Sequence, residues 1–202
     1  MFDLAQKFLR GCGWFAVLVG GAAGLGFSWL SVHESTRLDP QITRELFNHV
    51  LLGRLPTLLV AAFVLLRVNF QLATDAGLAR RLHDGRQTGA YVMACTVACL
   101  MAWMWFFLSV LAGSWLGMMQ GFSGYGQSVW ESFWGEFRFF YIAHAGLRML
   151  LLAGFLSLLA FLEVRFLQAH EGQTHRMMSR AMTLGMLSII GIEVADFFWM
   201  LN

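Results

Sequence analysis

The residues in this sequence most able to do chemistry are five charged side chains within or beside long apolar stretches: Arg67, Asp75, Arg148, Glu193 and Asp196. A charge inside an apolar helix is costly, so such groups are usually paired or face a polar cavity. Asp75 follows Arg67 by eight residues, just over two helical turns. One interpretation is a structural ion pair, for example Arg148 with Glu193. A second interpretation is a polar patch that faces a cavity or a partner subunit.

Histidine and cysteine could bind haem or metal, but their spacing does not favour it. A b-type haem in a helix bundle usually takes two facing histidines. Of the six histidines only His144 lies well inside a predicted span, and the others are at span ends or in loops. Cys95 and Cys99 share a helix face, but two thiols make a poor zinc site. Three cysteines in all are an odd count for a disulfide scaffold. We therefore predict no cofactor and no metal.

Short catalytic motifs are absent from the sequence. It contains no H-E-x-x-H, C-x-x-C-H, Walker A or G-x-S-x-G pattern. It also has no block of lysine and arginine of the kind that binds nucleic acid. We expect a protein that is not an enzyme, so any ATP hydrolysis would take place on a separate partner.

The composition is that of a membrane protein. Of the 202 residues, 58% are hydrophobic and 13% are charged, whereas a soluble domain carries about 25% charged residues. A soluble fold of this size could not bury so much apolar surface. No stretch alternates as the strands of a membrane β-barrel do.

Five apolar stretches are long enough to cross a bilayer, for which about 20 residues are needed. They predict an all-α membrane domain with spans at residues 12–32, 46–70, 90–118, 139–166 and 177–201. Residues 1–11 are amphipathic and predict a short interfacial helix that stays attached to the chain.

The distribution of basic residues predicts the orientation. With a cytoplasmic N-terminus, that side holds eight basic residues and the far side four, as the positive-inside rule requires. The cytoplasmic eight are Lys7, Arg10, Arg80, Arg81, Arg86, Arg165, Arg176 and Arg180.

Two G-x-x-x-G motifs, Gly20 to Gly24 and Gly113 to Gly117, provide small helix faces. Such faces let two membrane helices approach closely. They permit a dimer.

The order of motifs resembles the MlaE/YrbE permease family, the membrane subunits of ABC transporters that work with MCE proteins to move lipids. Residues 19–27 are similar to its glycine-rich first helix, and residues 51–62 to its L-L-R-E-L-G-P segment. Arg67 stands at the arginine of A-G-R-x-G, and residues 75–77 at A-E-x-G. Residues 121–133 resemble the outer loop before the fourth helix. The end of the chain, from Ser179-Arg-Ala to Asp196-Phe, resembles G-R-A-T-T-R and the final D-F.

The resemblance implies a permease subunit of an ABC-type phospholipid transporter in the bacterial inner membrane. It implies a lipid cavity at a dimer interface, with partners that include an ABC ATPase, an MCE-domain protein and a second permease copy, identical or different. The cavity and its polar element would be formed by Phe27, Trp29, Leu66, Arg67 and Asp75.

The sequence departs from the family between the second and third spans. Residues 78–89 form a short segment that lacks the E-Q and V-D-P elements of the family's coupling helix. The remaining candidates for ATPase contact are Arg80, Arg81, His83 and Arg86. Two further functions therefore stay open: a non-transporting scaffold of a larger membrane complex, and a redox subunit that carries haem or quinone.

Overall fold

The computed structural model describes residues 2–33, 54–75, 88–121, 139–166 and 174–201, and each of these ranges is helical nearly throughout. The helices are α1 (Phe2–His33), α2 (Leu55–Thr74), α3 (Thr88–Gly121), α4 (Phe139–Phe166) and α5 (Thr174–Leu201). No strand occurs in these ranges. The prediction of an all-helical chain is therefore confirmed for the part that the structure describes.

The N-terminal helix contains residues both of the expected interfacial segment, residues 1–11, and of the first expected span. α1 runs without interruption from Phe2 to His33. The amphipathic start and the apolar stretch thus belong to one helix, because no proline lies between them and single glycines lower helix stability by only about 1 kcal/mol each. The interfacial position of residues 1–11 stays a prediction.

α2 begins with proline in its first turn. Pro56 is the second residue of the helix, where its missing N–H would have no intrahelical acceptor. The helix continues past residue 70, where we expected it to end, to Thr74. The Asp75 N–H then donates to the Gln71 carbonyl at 2.8 Å and adds one more helical hydrogen bond. The first part of the expected second span, residues 46–53, lies outside the described ranges.

The packing has small residues inside and large apolar residues outside. The buried positions include Ala61, Ala94, Ala98, Ala102, Ala145 and Ala153. By contrast, many Leu, Met and Trp side chains are exposed; Trp14 is 72% exposed and Leu18 67%. Water would make this arrangement unfavourable, whereas in lipid small residues let helices pack closely and large ones face acyl chains.

Within the described ranges, three helices are long and apolar enough to cross a membrane: α1 at Cys12–Trp29, α3 at Thr88–Met119 and α4 at Ile142–Leu159. α2 and α5 contain shorter apolar segments, Leu55–Val68 and Met182–Ala195. Together with the exposed apolar side chains, these helices identify a membrane protein. Five crossings and a cytoplasmic N-terminus stay predictions.

The chain forms two compact units that each draw on several helices. The first contains Met1–Cys12, Ala61–Leu100 and Met149–Asn202, and the second contains Gly13–Val60 and Met101–Arg148. The boundaries between the units fall inside α1, α2, α3 and α4. Each unit therefore contains helical segments that are distant in sequence.

In the second unit, α1 and α3 pack through their glycines. A Cβ atom added at Gly20 would lie 2.6 Å from the Phe106 carbonyl oxygen. One added at Gly24 would overlap the Val110 carbonyl oxygen, and one at Gly113 would overlap that of Gly21. Because the residue numbers rise together along both helices, α1 and α3 run parallel. We call this contact the glycine seam, and it comprises Gly20, Gly21, Gly24, Ser28, Phe106, Val110, Gly113, Ser114 and Gly117.

The glycine seam assigns both G-x-x-x-G motifs to contacts within the chain. Gly20 and Gly24 on α1 face α3, and Gly113 and Gly117 on α3 face α1. The Ser114 hydroxyl also donates to the Gly24 carbonyl at 3.3 Å. These faces are therefore occupied and do not provide the dimer contact that the motifs would permit. A dimer through another surface stays a prediction.

A second close approach, between α2 and α5 in the first unit, leads to a testable prediction. A Cβ atom at Gly185 would overlap the end of the Leu65 side chain. We expect Gly185→Leu to lower the free energy of unfolding by about 1–3 kcal/mol through overpacking, measured as a lower thermal midpoint in detergent. Gly191→Leu on the same helix is the control, since nothing lies within 4 Å of its added Cβ. Equal midpoints for the two variants would contradict the packing of α2 on α5.

Candidate functional site

Arg67 is the charged residue around which the first unit offers a site. It is half-buried on α2, and its Nε atom is enclosed and has no hydrogen-bond partner among the described residues. The guanidinium lies close enough to the Cys12 thiol on α1 for an electrostatic interaction. The charge of Arg67 therefore lies beside the contact between α1 and α2, and its Nε–H is a hydrogen-bond donor without an acceptor among the described residues.

Two apolar residues close to Arg67 on α2 are exposed, whereas Val68, the next residue, is buried. Leu66 is 45% exposed and Phe70 48%. They are four residues apart and so lie on one face of the helix. Asp75, the acid eight residues beyond Arg67, is exposed just past the end of α2. An acyl chain could lie against this face while a polar group reaches Arg67.

The three cysteines form a group that the sequence did not reveal. Cys12 on α1, and Cys95 and Cys99 on α3, are buried free thiols of the first unit and lie within electrostatic range of one another. Sequence reasoning paired Cys95 with Cys99 by helical spacing but had no signal for Cys12. No group of three or more residues that could hold a metal ion occurs in the described ranges.

A small cavity lies between the helices of the first unit, with a volume of about 10 Å³. This is roughly the space for one water molecule, far below the volume of a lipid tail. Its walls are almost entirely apolar and comprise Val64, Leu65, Val68, Cys95, Cys99, Ala153, Leu156 and Ser157. The described part of this unit is thus closely packed at this position.

The other predicted cavity residues lie in the second unit. Phe27 is half-buried and Trp29 is 62% exposed, both on α1. Leu66, Arg67 and Asp75 belong to the first unit. The predicted cavity residues are thus divided between the two units, and the joint cavity predicted for them stays untested.

The remaining charged candidates belong to α4 and α5. Arg148 is 7% exposed on α4, and Glu193 is half-buried on α5. Asp196 belongs to α5, but its side chain is outside what the structure describes. The pairing of Arg148 with an acid stays a prediction. The four residues predicted to contact an ATPase, Arg80, Arg81, His83 and Arg86, also lie outside the described ranges.

Two aromatic side chains with ring nitrogens, His144 and Trp103, lie on α4 and α3. His144, the histidine considered for haem, is half-buried. Trp103 is 4% exposed, and its indole N–H has no hydrogen-bond partner in the described helices. Trp103 stacks on Phe107 with a centroid distance of 5.9 Å and touches the position of Gly146 on α4. Its packing role accounts for its burial.

Comparisons with protein families, with curated proteins and with solved structures found no match to this chain.

Proposed function

We propose that this chain is the permease subunit of an ABC-type phospholipid transporter in the bacterial inner membrane. In this proposal it changes no covalent bond of its cargo. Its partners are an ABC ATPase, an MCE-domain protein and a second permease, identical or different. The coarser conclusion, a helical membrane protein, is carried by the three long apolar helices.

The observation that carries the proposal is the placement of Arg67. A half-buried cation with an enclosed, unsatisfied donor is costly in an apolar helix, and such groups in membrane helices usually mark a pathway or a binding site. The exposed Leu66 beside it offers an apolar surface next to that charge. A phospholipid combines the same two properties, acyl chains and a charged headgroup.

The mechanism requires two conformations with different affinity for lipid. ATP binding and hydrolysis on the partner subunits would shift the equilibrium between them, since a ligand shifts a conformational equilibrium only by its differential affinity for the two states. The proposed contact for the ATPase is the basic segment that contains Arg80, Arg81, His83 and Arg86. The glycine seam would keep α1 and α3 together as one body during the change.

Affinity purification tests this proposal directly. We expect the tagged chain, extracted in mild detergent, to carry an ABC ATPase, an MCE-domain protein and phospholipid, identified by mass spectrometry. An ATPase with a second, longer permease would support the heterodimer. The matched control is Arg80→Glu with Arg81→Glu, which should release the ATPase and leave the other partners bound. Recovery of an unrelated complex without ATPase or MCE protein would overturn the proposal.

A scaffold in a larger membrane complex is the second candidate, and the close packing of the described core favours it. The glycine seam and the cavity of about 10 Å³ are what a rigid structural subunit needs. The two candidates differ in which residues matter. A scaffold tolerates Arg67→Gln and loses its complex when the glycine seam is disrupted, whereas a transporter loses lipid transport in both variants.

A further inference from the structure

Two of the three buried cysteines lie one helical turn apart on one face of α3. Cys95 and Cys99 are four residues apart, and this spacing places their Cβ atoms about 5–6 Å from each other. Their side chains are 1% and 2% exposed, and both thiols are free. Two sulfur atoms that bind one metal ion from opposite sides are about 4–5 Å apart, since each metal–sulfur bond is about 2.3 Å long. The two side chains can therefore reach one shared ion.

The small cavity of the first unit is lined by both of these cysteines. Its volume is about 10 Å³, and its walls are almost entirely apolar. A water molecule in such a space needs two to four polar partners. The hydroxyl of Ser157, which also lines the cavity, already donates to the Ala153 carbonyl at 2.7 Å. The cavity therefore suits a small ion that bonds to sulfur better than it suits water.

Other groups of the first unit lie close to this pair of thiols. Tyr91, one turn before Cys95, is 1% exposed, and its hydroxyl is close enough to interact with the Cys95 sulfur. An O–H donor beside a thiolate stabilises the charged form. Cys12 on α1 is within electrostatic range of both cysteines of α3, and Arg67 is within range of Cys12. A hydrogen-bond donor and a cation thus lie on the two sides of the thiol group.

The number of thiols and the charge nearby favour copper(I) over zinc. Thiolate is a soft ligand that selects copper(I), a d¹⁰ cation that is stable with two thiolates in a linear arrangement. Structural zinc takes four ligands, and the described helices contain no group of three or more residues that could hold a metal ion. Binding of copper(I) converts two thiols to thiolates and releases two protons, which leaves one net negative charge. The positive charge of Arg67 offsets it within the first unit.

We propose that Cys95 and Cys99 bind one copper(I) ion between them, with the Tyr91 hydroxyl donating a hydrogen bond to the Cys95 thiolate. The ion would lie in the apolar part of α3, which extends from Thr88 to Met119. The inference goes beyond lipid transport and does not depend on it, because the ligands all belong to one helix of this chain. Binding is therefore measured without an ATPase, an MCE-domain protein or lipid.

Copper retention by the purified chain tests the assignment. The full chain in detergent is incubated with copper(I) under a reductant, desalted, and its copper content measured by plasma mass spectrometry. We expect one copper per chain, with thiolate-to-copper charge-transfer absorption in the ultraviolet. Cys95→Ala and Cys99→Ala should each lose the ion on the column. Tyr91→Phe should weaken binding about 10-fold, since it removes a hydrogen bond to a ligand, as measured by competition with a copper(I) chelator.

The matched control is Cys12→Ala, which removes the third thiol, leaves the pair and should retain copper. Size-exclusion profiles and thermal midpoints check folding of each variant, and alanine suits this part of α3, where Ala94 and Ala98 are buried. If an alanine variant does not fold, serine replaces it, since its hydroxyl bonds to the preceding turn of the helix. Zinc in place of copper should be lost on desalting. Copper retained by folded variants of Cys95 and Cys99, or lost from Cys12→Ala, would overturn the assignment.

Discussion

Replacing Gly24 with leucine is expected to prevent α1 from packing on α3 and to lower the free energy of unfolding by about 3 kcal/mol or more. A Cβ atom there would overlap the Val110 carbonyl oxygen and lie 2.8 Å from the Ser114 backbone nitrogen. Because both are backbone atoms of a regular helix, no side-chain rotation relieves the contact, so the helices must separate. The Ser114 hydrogen bond to the Gly24 carbonyl would be lost as well.

The measurement is the fraction of folded, monodisperse protein in detergent, by size-exclusion chromatography of a fluorescent fusion. Gly26→Leu is the matched control, two residues along the same helix, with nothing within 4 Å of the added Cβ. We expect this control to be neutral or slightly stabilising, because leucine has the higher helix propensity. If both variants gave the same yield of folded protein, the parallel packing of α1 and α3 would be incorrect.

The sequence predicted the helices well because the requirement for crossing a bilayer is simple. An apolar run of sufficient length, despite Arg148 within it, predicted Phe139–Phe166, the bounds that α4 has. α3 begins two residues earlier and ends three residues later than expected, and α5 begins three residues earlier. These differences lie at helix ends, where flanking polar residues continue the helix but contribute nothing to the apolar signal.

The sequence could not predict which helix faces pack against each other. Two G-x-x-x-G motifs are compatible with contacts within the chain and between chains, since the motif describes only a small helix face. The contact between Gly24 and Val110 joins positions 86 residues apart, and no local pattern specifies such a pairing. The same limit explains why Cys12 was not associated with Cys95 and Cys99.

For the candidate site, the sequence predicted which residue matters but not the environment of that residue. Arg67 was recognisable because a charge in an apolar run is conspicuous against its neighbours. Its enclosed Nε and the exposure of Leu66 and Phe70 depend on which side of α2 faces the other helices, which is set by tertiary packing. Hydropathy treats leucine alike on both sides of a helix, so it could not tell a lipid-facing residue from a buried one.

Polar side chains within the described helices differ in how their hydrogen bonds are satisfied. Two buried serines bond locally: Ser28 donates to the Leu25 carbonyl, and Ser157 donates to the Ala153 carbonyl at 2.7 Å. Such bonds satisfy the hydroxyl within its own helix and leave little need for a partner. Arg67 is different, because its enclosed donor has no such local acceptor.

Two substitutions at the end of the glycine seam, Gly117→Ala and Ser28→Gly, are expected to have non-additive effects on the free energy of unfolding. A Cβ atom at Gly117 would overlap the Ser28 hydroxyl oxygen and lie 2.8 Å from the Ser28 Cβ. The hydroxyl is held in place because it donates to the Leu25 carbonyl at 2.9 Å. We expect Gly117→Ala to lower the free energy of unfolding by about 1–3 kcal/mol, although alanine has the higher helix propensity.

Removing the Ser28 side chain should relieve that overlap. Ser28→Gly alone is expected to cost about 0.5 kcal/mol through lost helix propensity, but the double variant should be more stable than the sum of the two effects by about 1–2 kcal/mol. The remaining neighbour of the added methyl group, the Leu25 side chain at 3.6 Å, is at ordinary contact distance.

Thermal midpoints of the wild type, both single variants and the double variant in one detergent give this coupling as a double-mutant cycle. Gly154→Ala on α4 is the control for a glycine with nothing within 4 Å, and it should be neutral or slightly stabilising. Additive effects of Gly117→Ala and Ser28→Gly would show that the two positions do not meet. Coupling of the expected sign requires Ser28 and Gly117 to meet, which fixes the register of α1 and α3 at this end of the seam. That register is what would let the two helices move together in a transporter or hold a fixed position in a scaffold.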